Sequence, residues 1–129
     1  MKKSSLLSAA TLLVLSTAIA QTLPDVGKWS GTMEGDSGRL LPVEVNLTDT
    51  AGTWRMSPPA GAGPGARNNP CFGKELPVAV ESSAEALVLN VNGSQVIQGC
   101  MDAKISLTLI GAEYKGQTTR GRAVSLTRK

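Results

Sequence analysis

The chain has no histidine, two cysteines, two tryptophans, one tyrosine and one phenylalanine in 129 residues. Without histidine it lacks the commonest general base near neutral pH and the commonest zinc ligand. Trp29, Trp54, Phe72 and Tyr114 are too few for a single-stranded nucleic-acid platform, which interleaves several aromatic and basic side chains. Helical periodicity is also missing from the body of the chain. The one long apolar run, Leu6 to Leu15, falls short of the roughly 20 residues that a transmembrane helix needs. These absences argue against nucleic-acid binding and a membrane span. They leave carboxylates as the chief resource for catalysis.

What is present begins with a compartment signal. Lys2 and Lys3 precede the apolar run, and Ala18-Ile19-Ala20 precedes Gln21. A charged start, an apolar middle and small residues at the cut site read as a secretory signal peptide over residues 1–20. No cysteine follows the expected cut, which argues against a lipid anchor there. The expected destination is the bacterial periplasm or the exterior, and residues 21–129 form one expected domain. Loss of Lys2 and Lys3 lowers the formal charge from +3 to +1. Arg120, Arg122, Arg128 and Lys129 make a basic tail on a slightly acidic body. That pattern fits a solvated terminal strand better than a basic nucleic-acid face.

Cys71 and Cys100 allow a single pairing, and export to an oxidising compartment predicts a disulfide between them. Neither the C-x-x-C spacing of redox sites nor a histidine accompanies them. In the chain-entropy model, closing a loop of about 30 residues stabilises a fold by ~3–4 kcal/mol. The bridge would anchor the end of "SPPAGAGPGARNNP", residues 57–70, a segment without periodicity or large apolar side chains. A stretch of that length and composition reads as a flexible loop, either a partner-binding element or a tolerated insertion.

Alternation with period 2 dominates the rest. Leu41, Val43, Val45 and Leu47 share one face of a segment. So do Leu76, Val78 and Val80, then Leu87, Leu89 and Val91, then Ile105, Leu107 and Leu109, and finally Val124 and Leu126. Such patterns predict half-buried antiparallel strands. "GKWSGTME", "GTWRMS", "EYKGQTT" and "QVIQGC" predict further strands, and "NGS" at 92–94 predicts a hairpin turn. Leu-Pro-Val-x-Val occurs twice, and the prolines Pro42 and Pro77 suggest edge or bulge positions. Eight or nine short strands predict an all-β fold: a small antiparallel β-barrel of about eight strands, or alternatively a β-sandwich.

Two local resemblances bear on function. Gly35 to Gly38 reads "GDSG" and resembles the nucleophile segment of chymotrypsin-type serine proteases. Those enzymes need a histidine as base, so a tight turn is the reading that stands. Glu34 and Asp36 could serve acid/base chemistry or hold Ca²⁺, but a calcium loop carries more acidic ligands in a short span. The expectation is a chain with no catalytic residues, no metal and no cofactor. Gly27-Lys28-Trp29 resembles the Gly-x-Trp opening of the calycin superfamily, which includes lipocalins, avidins and small bacterial metalloprotease inhibitors. The resemblance implies that a cation on the last strand packs across Trp29 and closes the barrel. Arg122, or Arg120, is placed in sequence to do so.

The function these readings predict is a non-catalytic exported binding domain. It would recognise a protein or cell-envelope component through its loops, with Arg67, Asn68 and Asn69 as partner contacts. The alternative is a periplasmic inhibitor of a protease or other enzyme. It would act through residues Gln21 to Asp25 or through the Arg67 loop.

Overall fold

The alternating segments become strands, and the strands close on themselves. A computed structural model describes residues 26–35, 38–59, 61, 69–83 and 86–129. The expected signal peptide, Gln21 to Asp25, Asp36, Arg67 and Asn68 lie outside the described residues. Eight strands follow one another: β1 Gly27–Glu34, β2 Leu40–Leu47, β3 Ala51–Met56, β4 Leu76–Ser82, β5 Ala86–Val91, β6 Ala103–Ile110, β7 Glu113–Thr118 and β8 Ala123–Arg128. Each pairs antiparallel with the next, and β8 pairs back onto β1, giving a closed up-and-down barrel. Closure leaves no free sheet edge, so the sandwich alternative does not describe this protein.

Period 2 places one face of each strand inside. Leu41, Val43, Val45 and Leu47 are buried from β2, and Leu76, Val78 and Val80 from β4. Leu87, Leu89 and Val91 are buried from β5, with Ile105 and Leu107 from β6 and Val124 and Leu126 from β8. Trp29, Trp54, Met56 and Tyr114 complete the core within the wall. Fully burying a side chain of this size stabilises by roughly 1.5–3 kcal/mol, so the packed interior is the main source of stability. Leu109 departs from the expected inward set and is 37% exposed. It lies past the last β5–β6 pair, Ala86 with Thr108, where β6 and β7 overrun the core.

Tight curvature requires glycine at specific wall positions. A Cβ on Gly31 would overlap the Ser125 carbonyl oxygen, and one on Gly116 would overlap that of Ser106. These are the close backbone approaches of a small barrel. The two strand prolines are not at sheet edges. Pro42 lies one residue beyond the first β2–β3 pair, Val43 with Met56, and Pro77 one residue beyond the β4–β5 pair Val78 with Val91. Each closes the ladder on that side through its carbonyl, which accepts from Ser57 N–H at 3.0 Å for Pro42 and from Asn92 N–H at 2.8 Å for Pro77. The missing amide hydrogen thus falls at the ladder's last rung.

Segment 95–100 is not a strand, and 92–94 is not a hairpin turn. Gly93–Gln95 forms one turn of 3-10 helix, and β5 joins β6 through the whole of 92–102. Gly93 packs against the Cys100 sulfur so closely that a Cβ would overlap it. The disulfide therefore holds Cys100 against Gly93, and the segment between them stays out of the sheet. Val96 is left exposed.

Candidate functional site

Up-and-down topology sorts the connections by parity. The odd ones, 35–39, 57–75, 92–102 and 119–122, all emerge at one end of the barrel. The even ones, 48–50, 83–85 and 111–112, emerge at the other and are short. The two ends are built differently for that reason.

The short-turn end is closed. Trp29 is buried there and meets Tyr114 edge-on, with ring centroids 5.1 Å apart. The Arg128 guanidinium lies over the Trp29 ring, 4.5 Å from its centroid, and donates a hydrogen bond to the Val26 carbonyl. Gly27 makes room for it: a Cβ there would overlap the guanidinium, and its φ of 124° favours glycine. A cation from the last strand does cross the tryptophan, but it is Arg128 and not Arg122 or Arg120. The β1–β8 register explains the correction. Trp29 faces Arg128, whereas Arg122 precedes β8 at the end where Met33 faces Val124.

The long-loop end is open. A cleft of about 570 Å³ sits in its mouth and takes lining residues from all four odd connections. Its apolar surface comes from Met33, Leu41, Met56, Phe72 and Met101. These include every methionine after Met1 and the single phenylalanine of the chain. Methionine is unbranched and polarizable, and it adapts to irregular apolar partners. Arg120, Arg122, Glu34 and Asp102 supply charge of both signs around the same cleft.

Specific bonds hold this mouth in shape. The Cys71–Cys100 disulfide ties connection 57–75 to connection 92–102, with 5.2 Å between the Cα atoms. Cys71 donates its backbone N–H to Asn69 Oδ1 at 2.9 Å, and Gly73 donates to the Met56 carbonyl at 2.7 Å. The Glu34 carboxylate accepts the Ala123 N–H at 3.3 Å. Buried Thr118 closes the last connection, its Oγ1 accepting from both Arg120 and Arg122 backbone N–H groups at 3.2 Å. Asp102 accepts the Ser94 N–H at 2.9 Å. Hydrogen bonds from the Ser94 backbone and side chain hold its carboxyl below the usual value of 3.8.

The sequence-derived candidates fall into place unevenly. Cys71 and Cys100 are joined as expected. Asn69 lines the cleft, but its side-chain oxygen is engaged in capping the turn before Cys71. Arg122, expected under Trp29, lines the mouth at the opposite end. Met33, Met56, Phe72 and Met101 also line the cleft, and no motif in the sequence marks them as site residues. The usable signal was the parity of the connections, which places their strand ends together.

A second hollow of about 230 Å³ lies along β1, β2 and β3. Its charges pair with one another, Lys129 with Glu44 at 3.0 Å and Arg55 with Glu75 at 3.5 Å. Both pairs are exposed, and such pairs contribute little. Among the described residues no cluster of three or more Cys, Asp or Glu side chains is placed to hold a metal, and no helix is long and apolar enough to cross a membrane.

No protein-family model matches the chain, and no curated protein is similar to it. Among solved structures it is similar to a redesigned β-barrel, with 14% identity and a TM-score of 0.50. The match covers 82% of this chain and 92% of that one. At that identity the likeness shows the fold alone.

Proposed function

We propose that the protein is an exported, non-catalytic binding domain that recognises a protein or cell-envelope component at the open end of its barrel. One observation carries this reading: four loops, and the chain's adaptable apolar side chains, converge on one disulfide-anchored cleft while the other end is sealed. Barrel mouths are common binding sites, because loops vary there without disturbing the wall. The packed interior leaves the mouth, and not the barrel lumen, as the place for a ligand group. The disulfide and the N-terminal signal both suit an oxidising compartment outside the cytoplasm.

The test places a photo-crosslinking residue at Phe72 or Met101 in the mouth, and at Thr50 or Ala112 at the closed end. Illumination in the native cell envelope should give a discrete adduct from the mouth positions alone. Equal adducts from both ends, or adducts from the closed end only, would overturn the assignment.

A further inference from the structure

We infer that Met101 is an oxidant-responsive modification site at the mouth, and that Arg120 receives the sulfoxide it forms. The argument begins by elimination. Both cysteines are already joined, so the chain offers no thiol to a peroxide. It has no histidine, and both tryptophans are buried. Thioethers are then its most readily oxidised side chains, and oxygen transfer to sulfur needs direct access. Met101 is 57% exposed, Met56 is 8% exposed and Met33 is half-buried.

Geometry supplies the second part. Arg120 Nη2 already donates to Met101 Sδ at 3.7 Å, joining connection 119–122 to connection 92–102. With hydrogen peroxide as oxidant, the thioether attacks one peroxide oxygen. An S–O bond forms, the O–O bond breaks, sulfur loses two electrons and water leaves. The new oxygen is a much stronger acceptor than sulfur, and a guanidinium donor stands beside it. A weak N–H···S contact becomes a charge-assisted hydrogen bond. Oxidation at Met101 therefore ties two mouth loops together and makes one wall of the cleft polar. Oxidation at Met56 would place a polar group in the core instead.

The experiment treats the purified, disulfide-intact protein with hydrogen peroxide and follows each methionine by peptide mass mapping. Met101 should gain one oxygen about tenfold faster than Met56 in the folded state, and the difference should vanish in guanidinium chloride. The same is done in Arg120→Ala. Met101 oxidation should leave the melting temperature of the unsubstituted protein unchanged or raised, and lower it in Arg120→Ala. Oxidation of Met33 or Met56 ahead of Met101 would overturn the site. An oxidised Arg120→Ala as stable as its reduced form would overturn the role of Arg120. Neither readout depends on the identity of a binding partner, so failure of the binding proposal would leave this inference separately testable.

Discussion

At the scale of single residues, the account turns on which arginine does what. Arg128 covers Trp29 and reaches the Val26 carbonyl, so Arg128→Ala should cost about 1 kcal/mol in urea unfolding. It should also shift the Trp29 indole resonance. Arg122→Ala should leave that resonance in place, because Arg122 lies at the other end. The resemblance to the calycin opening implied a late cation on Trp29, and sequence position pointed to Arg122 or Arg120 where the structure has Arg128. The choice depends on strand register, and four arginine or lysine residues crowd the last ten positions. Asp102 gives a pH dependence. Its folded-state pKa is lowered by the Ser94 hydrogen bonds, so the stability it contributes is present above the ordinary value of 3.8. That stability is lost as pH falls through the lower folded-state value. An acid titration by NMR should show the Ser94 amide shift moving with a midpoint below the ordinary value of 3.8, and Asp102→Ala should abolish the transition.

At the scale of elements, strands were legible because each needs only a local alternation. Eight of the nine expected strands form, with boundaries close to those the pattern implies. The exception, 95–100, failed for a tertiary reason: the disulfide holds Cys100 against Gly93, which keeps the segment out of the sheet. The glycines of the wall were also silent in the sequence. Gly31 and Gly116 look like ordinary strand weaknesses until the curvature of the barrel brings neighbouring carbonyls against them. Gly116→Ala should therefore destabilise by about 3 kcal/mol, read as a lowered denaturation midpoint with unchanged slope. An alanine in an open strand position would do the opposite. A slight gain in stability for Gly116→Ala would mean that β6 and β7 are not packed as closely as described.

For the whole molecule, closure and asymmetry follow from connectivity. Consecutive antiparallel pairing around a ring puts alternate connections at alternate ends. The chain then spends its long, cysteine-bearing connections at one end and its short turns at the other. The candidate site was only half legible beforehand. Its anchor, Cys71 with Cys100, could be read from the cysteine count, whereas its lining could not. Met33, Met56 and Met101 are scattered over nearly 70 positions and meet only once the ring closes.

The central claim is a self-supporting barrel that carries a disulfide-organised open end. Amide hydrogen exchange on the oxidised and the reduced protein tests it most directly. A bridge of this loop length is worth ~3–4 kcal/mol against the ~5–15 kcal/mol of a typical domain. Reduction should therefore strip protection from residues 69–73 and 92–102 while β1 to β8 remain protected. Loss of protection across all eight strands, or no change at either mouth segment, would contradict the account.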